Sequence, residues 1–299
     1  MKPAHLGLLI LFNVFWAATL SASKALEPHL GPGGVVTLRF GGAGLGMLLL
    51  WPWLPGAAPR GWDFAKAGVM GCITFVLGQR LQVFATQAGS AGNSSVLMAA
   101  EPVLTAVAAS LFLREHVPAR RWIGFALGAL GVLLLCGIWR ADFKWASLAT
   151  SVIFISSFFC EAAYSIIGKP LIERAGLLKV MTVALAAGLV VNLAIDGPST
   201  LAAARTLPPK AWLIVAYLAV ICTMIGYALW FVVIRETDVN VAVMTILAQP
   251  VAGVPIAVVW LGEPVHWGML WGSLAIVAGL FVGLARDASP APAATEPAG

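Results

Sequence analysis

One segment of the sequence occurs in the chain in two related copies. Residues 101–117 read EPVLTAVAASLFLREHV, and residues 249–265 read QPVAGVPIAVVWLGEPV. Both contain Pro-Val followed by Leu-x-Glu-x-Val, and they lie 148 residues apart (249 minus 101). The same offset superposes three pairs of glycines, which are Gly78 and Gly226, Gly124 and Gly272, and Gly131 and Gly279. Shared elements at one common offset predict that the chain is a duplicated unit.

The composition around these stretches is that of a membrane protein. Of 299 residues, 60% are hydrophobic and 10% are charged, and the mean hydropathy is +0.93. Soluble domains have about 45–50% apolar and about 25% charged residues. This excludes a soluble enzyme and a nucleic-acid-binding module, and it makes the lipid bilayer the expected partner. The four cysteines have neither CxxC nor metal-ligand spacing, so we expect no metal and no cofactor.

Ten stretches are long and apolar enough to cross a bilayer, which takes roughly 20 residues. They are residues 6–26, 34–54, 65–86, 93–113, 121–139, 145–168, 177–196, 211–234, 240–261 and 268–285. The predicted fold class is therefore all-α, a polytopic membrane protein with ten transmembrane helices. The breaks between spans carry charge or Pro and Gly, as at Asp196-Gly197-Pro198.

Each copy of the unit holds five spans, and an odd number places the second copy upside down relative to the first. The sequence thus predicts an inverted repeat of two five-helix halves, residues 1–139 and 140–287. Basic loop residues favour both termini on the cytoplasmic side of a bacterial inner membrane. Residues 288–299 are rich in Pro and Ala and are expected to form a disordered cytoplasmic tail. A signal peptide in the first span is the alternative there, but its removal would break the repeat.

Several motifs resemble the drug/metabolite transporter superfamily, in particular its ten-span EamA-type exporters. The resemblance rests on Phe15-Trp16-Ala17, Leu38-Arg39-Phe40, Glu101-Pro102-Val103, the segment Phe112 to Val117, and the second copy from Trp260 to Gly279. It covers roughly residues 6–285 and implies an inverted repeat around a central cavity. It further implies a transporter of small molecules and not an enzyme. Its members export amino acids, related metabolites or drugs, and some import sugars or nucleotide precursors.

Glu101 is the first candidate site residue, because a carboxyl group inside a span is costly and marks function by default. Pro102 follows it and cannot donate a hydrogen bond to the carbonyl of Met98, so we expect this carbonyl to be unpaired. Pro250 stands in the same way beside Gln249, so both halves have a predicted helix break. Glu101 is expected to exchange a proton or to bind a substrate amine. A static ion pair with Arg80 or Arg39 is the alternative.

Arg39 and Arg80 are candidates for binding a substrate carboxylate, since a guanidinium group binds it with two hydrogen bonds. Counted from the span ends, both arginines and Glu101 lie roughly 8–12 Å below the outer surface. We therefore expect these three groups to meet. Gln79 adds an amide beside Arg80 at a polar span end. Snorkelling of Arg39 and placement of the Arg80 segment in the headgroups are the alternatives.

Glu161 is predicted to line an inner gate, too deep to join the Glu101 group. Pairing with Lys169, Lys24 or Tyr164 is the structural alternative. Trp16 and Tyr227 can line a cavity for aromatic or apolar substrates, although packing explains either residue alone. Glu115 and Glu263 lie in loops and are expected to favour the start of the following span.

The leading hypothesis is a secondary transporter that exports small metabolites such as amino acids by alternating access, with or without proton coupling. The main alternative is an exporter of cationic or apolar drugs. A membrane enzyme or a non-transporting scaffold is a remote alternative, because no nucleophile–His–acid set stands within a span. The expected oligomeric state is a monomer or a weak homodimer.

Overall fold

The computed structural model describes residues 3–89, 91–98, 100–136, 148–261 and 267–284, and these residues form helices and connecting loops without a β-strand. The first half contains α1 (Pro3–Ala25), α2 (Pro32–Leu49), α3 (Trp62–Cys72), α4 (Gln79–Ala88), α5 (Ala91–Leu97), α6 (Ala100–Phe112) and α7 (Ala119–Cys136). The second half contains α8 (Leu148–Arg174), α9 (Leu177–Ala204), α10 (Pro209–Ala216), α11 (Gly226–Glu236), α12 (Val239–Ala242), α13 (Ala248–Leu261) and α14 (Gly268–Leu284). The predicted tail and the predicted boundary at residues 139–140 lie outside the described residues.

Six helical stretches among the described residues are long and apolar enough to cross a bilayer. They are His5–Ala25, Trp62–Ala88, Val152–Arg174, Leu177–Ala204, Pro209–Glu236 and Val239–Trp260. Large apolar side chains are exposed around the helices, among them Leu111, Phe159, Val190, Val259 and Phe281. Such a surface suits lipid and not water. The fold is that of a polytopic membrane protein, whereas the number of ten spans stays a prediction.

Three of the long stretches contain non-α segments. A π-helical segment, Ile73–Gly78, joins α3 to α4, and another, Tyr217–Ile225, joins α10 to α11. A 3₁₀ segment, Val243–Leu247, joins α12 to α13. Such segments inside helices are frequent at functional sites. The two π-helical segments overlap when the chain is shifted by 148 residues.

The two prolines predicted to break helices stand in the first turns of α6 and α13. These helices begin at Ala100 and Ala248, which are 148 residues apart (248 minus 100). The expectation that Pro102 leaves the carbonyl of Met98 unpaired is wrong. The backbone N–H of Glu101 donates to that carbonyl at 3.2 Å, so the shorter i to i−3 hydrogen bond replaces the one that proline cannot make.

The predicted break at residues 196–198 is a kink and not the end of the helix. Asp196 has φ −142° and ψ 18°, and helical structure continues beyond it to Ala204. Pro198 has no N–H to continue the hydrogen-bond ladder, which accounts for the kink at this place. The kink directs the Asp196 carboxylate towards α2 and α4, where it has partners.

Helices from the two halves pack on one another in matching pairs. Contacts join α7 to α14 and α2 to α9, and they join α1 to α13 as well as α6 to α8. At the α7–α14 crossing, a Cβ atom on Gly124 would lie 2.7 Å from the carbonyl oxygen of Gly279, and one on Gly131 would lie 2.6 Å from that of Gly272. The absence of side chains at these glycines therefore lets the two backbones touch.

Candidate functional site

A cavity of about 80 Å³ lies between the helices of the two halves. This volume holds several water molecules or part of a small solute. Of the eight side chains predicted to bind substrate or a coupling ion, seven line it. They are Trp16, Arg39, Gln79, Glu101, Glu161, Tyr227 and Gln249.

Arg39 projects from α2 into this cavity and is 4% exposed. Its Nε donates to Thr223 Oγ1 at 3.0 Å, and its Nη1 donates to Gln79 Oε1 at 3.2 Å. The guanidinium carbon lies 4.6 Å from the centre of the Phe40 ring. Its Nη2 makes no hydrogen bond within the described part of the chain. Arg39 is therefore held rigidly and keeps donor capacity for a ligand; it does not snorkel to the surface.

Glu161 lies at the midpoint of α8 and is hydrogen-bonded on both carboxylate oxygens. Gln79 donates to Oε1, and the Tyr227 hydroxyl donates to Oε2 at 3.3 Å. Since Gln79 also accepts from Arg39, it links the guanidinium group to the carboxylate. The expectation that Glu161 lies too deep to join Glu101 is wrong, because both side chains line one cavity.

Glu101 and Gln249 are related by the 148-residue offset, and both line the cavity but differ in their hydrogen bonds. Gln249 donates to Asn13 Oδ1 at 2.8 Å, and Asn13 in turn donates to Thr245 Oγ1 at 2.9 Å. None of the described side chains donates a hydrogen bond to the Glu101 carboxyl group, which faces the cavity. Glu101 is thus available to a ligand, whereas Gln249 is fixed in a network.

Aromatic rings form one wall of the cavity. The Trp16 ring centre lies 5.7 Å from that of Tyr227 and 6.1 Å from that of Trp230. Trp16 Nε1 donates to the carbonyl of Cys222 at 2.7 Å, and Trp230 Nε1 donates to Ser165 Oγ at 3.0 Å. With their polar atoms satisfied, the rings present apolar faces that can also attract a cation.

Arg80 is the predicted site residue that lies outside the cavity. Its Nη2 pairs with Asp196 Oδ1 at 3.0 Å, and its Nε donates to Asn192 Oδ1 at 2.8 Å. Thr37 also donates to Asp196 Oδ1, at 2.8 Å. The predicted meeting of Arg80 with Arg39 and Glu101 is not found, because successive residues of a helix point about 100° apart. Gln79 faces the cavity, so Arg80 faces α2 and α9.

Most of the residues that line the cavity are related in pairs by the 148-residue offset. Five pairs of lining residues are related by it, namely Trp16 and Tyr164, Gln79 and Tyr227, Gln82 and Trp230, Met98 and Ile246, and Glu101 and Gln249. The hydrogen-bonded pair Asn13 and Gln249 corresponds in the same way to Glu161 and Glu101. The two halves thus contribute equivalent positions to one site, with different chemistry at each position.

The model of the EamA-like transporter family matches residues 5–137 and again residues 148–284. The chain belongs to this family. It is 25% identical to a probable terminal-alkyne amino-acid exporter of Streptantibioticus cattleyicolor, with 94% of this chain and 95% of that protein covered. The chain is a membrane transporter.

Two further relatives of this EamA-family chain carry transporter names. The uncharacterized transporter YyaM of Bacillus subtilis is 23% identical, covering 86% of this chain and 89% of that protein. A probable amino-acid metabolite efflux pump of Salmonella typhimurium is 25% identical, covering 64% and 67%. A solved crystal structure has the same fold, with a TM-score of 0.70 at 17% identity, and covers 94% of this chain and 96% of its own.

Some residues of this EamA-family site, in the cavity wall or behind it, were not predicted as site residues. For Tyr164 a signal was present, since the 148-residue offset relates it to Trp16. Thr223, which accepts from Arg39, carries no such signal because its repeat equivalent is the apolar Phe75. A threonine in an apolar span is too common to be distinguished without the fold.

A second polar cluster joins the loop after α6 to the second half. Arg114 in this loop has φ +56°, in the left-handed region, and the repeat equivalent in the sequence is Gly262. Glu115 accepts from Lys169 Nζ at 2.8 Å and from the backbone N–H groups of Val239 and Asn240 at 2.9 and 3.0 Å. Glu115 therefore stabilises the start of α12, and not that of α7 as expected.

We expect Glu115→Gln to destabilise the protein in a pH-dependent way. Burial alone would raise the pKa of Glu115, but hydrogen bonds from Lys169, Asn240 and Val239 outweigh it and lower the pKa. A lowered folded-state pKa stabilises the fold above the ordinary carboxyl pKa, and this stabilisation is lost as the pH falls through the lowered value. At pH 7 the substitution should cost about 2 kcal/mol in free energy of unfolding.

Thermal unfolding of the purified protein in detergent measures this effect. The difference between wild type and Glu115→Gln should be largest near neutral pH and should shrink below about pH 4. The control is Glu173→Gln, an exposed glutamate on α8, which should change little at either pH. A stability difference between wild type and Glu115→Gln that stays constant or grows in acid would contradict the stabilising role of the ionised Glu115 carboxylate.

Proposed function

We propose that this chain exports small metabolites such as amino acids by alternating access, with residues 1–139 and 140–287 as two inverted five-helix halves of a ten-span bundle. The observation that carries the proposal is the single cavity lined by equivalent positions of both halves. Binding sites at the interface of two repeats are typical of secondary transporters. The matching helix pairs and the glycine crossing of α7 and α14 support the inverted arrangement.

We assign each side of a zwitterionic substrate to groups on the cavity wall. Arg39 would bind the carboxylate through its Nη2, and Glu101 with Glu161 would bind the ammonium group. Gln79 and Gln249 would orient these charged groups, and Trp16 and Tyr227 would contact the side chain. Arg80 would act at a distance, because its pairing with Asp196 stabilises the kink in α9.

The relatives support this substrate class and its setting. Two are named as exporters or efflux pumps of amino acids or amino-acid metabolites. In line with the basic loop residues, both termini would be cytoplasmic in a bacterial inner membrane. The transporter would work as a monomer or a weak homodimer, since the cavity lies within one chain.

Counterflow in proteoliposomes tests the proposal. Vesicles are loaded with an unlabelled amino-acid mixture, and entry of the labelled mixture is followed with and without an imposed pH gradient. We expect saturable counterflow above that of protein-free vesicles. A flux equal to that of empty vesicles for every amino acid would contradict amino-acid transport.

Export of amines or cationic drugs is the second candidate. Two carboxyl groups and the aromatic wall formed by Trp16, Tyr227 and Trp230 favour it, because both attract cations. Inhibition of counterflow by amines but not by carboxylates would select this candidate.

A further inference from the structure

The charges that face the cavity do not cancel. Among the described lining residues, Arg39 supplies one positive charge and Glu101 and Glu161 supply two carboxyl groups. Among the described residues, the other titratable groups that interact with them are the phenols of Tyr164, Tyr217 and Tyr227 and the thiols of Cys160 and Cys222, which are neutral near pH 7. With both carboxyls ionised, the site carries a net charge of −1. An uncompensated charge inside a membrane bundle is costly.

The repeat relationship indicates where the compensating charge binds. Asn13 and Gln249 are hydrogen-bonded to each other at 2.8 Å, and the 148-residue offset maps them onto Glu161 and Glu101. Two amides can make such a bond because one of them donates an N–H. Two carboxyl groups can do so only when one of them holds a proton. The acid pair therefore has a place for a single proton or for one ammonium group between its two members.

We propose that the Glu101–Glu161 pair binds either one proton or the ammonium group of a small organic monocation, and that the protein exchanges one for the other. This rests on the transport function proposed above and specifies its substrate class. With a proton the site has zero net charge, and with a monocation in place of the proton it again has zero. A neutral zwitterion leaves the net charge at −1. Substrates with one net positive charge are therefore bound more tightly than neutral zwitterions of the same size.

Binding to the purified full-length protein tests this preference without requiring transport. Trp16 and Trp230 line the cavity, so their fluorescence reports occupancy. Two matched pairs of probes are used at about pH 6.5, where the α-amino groups are protonated. Lysine is compared with norleucine, and leucine amide with leucine. We expect each monocation to bind about tenfold more tightly than its neutral partner.

Measuring proton release distinguishes the exchange of a bound proton for a monocation from mere electrostatic attraction of the monocation to the site. In weakly buffered detergent solution, saturating lysine or leucine amide should release about one proton per protein, and the affinity should fall as the pH is lowered. Equal or tighter binding of norleucine and leucine would overturn the proposal. Monocation binding with no proton release would also overturn it.

Single substitutions in the acid pair identify the site. Glu101→Gln and Glu161→Gln each remove one carboxyl and leave the cavity neutral without a proton. Both variants should lose the proton release and bind leucine amide about tenfold more weakly. Glu173→Gln makes the same chemical change on the exposed side of α8 and should behave as wild type. Unchanged proton release in both cavity variants would overturn the assignment.

Flux measurements with the same four probes distinguish this inference from the proposed function. Flux of leucine and norleucine that exceeds that of lysine and leucine amide would support transport and overturn the monocation preference. Binding of monocations with proton release, but with no flux of any probe, would support the site and overturn the transport of these compounds.

Discussion

Replacing Arg39 with alanine is expected to abolish transport, with a loss of at least about a hundredfold in the counterflow rate. Truncating one partner of a buried, hydrogen-bonded charge pair at a binding site costs about 2–5 kcal/mol of binding free energy, and a cost of about 3 kcal/mol corresponds to roughly a hundredfold. The Arg39 guanidinium group donates to Gln79, and Gln79 in turn donates to the Glu161 carboxylate. Its loss removes the group that we propose binds the substrate carboxylate, and it leaves Glu101 and Glu161 without a cation among the described lining residues.

The measurement is counterflow in proteoliposomes at matched amounts of folded protein. Arg39→Lys keeps the charge but not the fork of donors, so it should recover part of the rate. Arg205→Gln removes an exposed arginine from the end of α9 and should leave the rate unchanged. A rate for Arg39→Ala within threefold of wild type would exclude Arg39 from substrate binding.

Arg39 also shows how far the sequence alone can predict this site. An ionisable residue within an apolar span is conspicuous, because it is costly there unless it is paired or functional. This reasoning selected Arg39, Glu101 and Glu161, and all three line one cavity. The helical class and the family could likewise be predicted, because composition and repeated motifs are properties of the sequence itself.

The same reasoning failed for Arg80, because depth in a span does not determine which face of the helix a residue occupies. Its partner Asp196 stands 116 positions away (196 minus 80). In the sequence, Asp196 belongs to a predicted break between two spans, together with Gly197 and Pro198. Only the packing of α2, α4 and α9 identifies it as a partner of Arg80, and no local pattern contains that information.

A side chain added at the crossing of α7 and α14 is expected to destabilise the fold. Gly131→Val should lower the free energy of unfolding by about 3 kcal/mol or more, because overpacking against a fixed neighbour is costly. A Cβ atom at this position would lie 2.6 Å from the carbonyl oxygen of Gly272 and 2.8 Å from the backbone nitrogen of Ile276. Both are backbone atoms, so no side chain can rotate to make room.

Gly7→Val is the matched control, since Gly7 lies in α1 and no atom stands within 4 Å of a Cβ added there. Valine is also a slightly better helix former than glycine, so helix propensity alone predicts no loss in either variant. Unfolding in detergent can be followed with a thiol-reactive dye, because Cys160 and Cys222 are buried in the folded protein. We expect the Gly131→Val variant to unfold many degrees below wild type. The Gly7→Val variant should unfold at the same temperature as wild type. Equal melting temperatures for the two variants would mean that α7 and α14 do not cross at these glycines, and the support that this crossing gives to the inverted repeat would be lost.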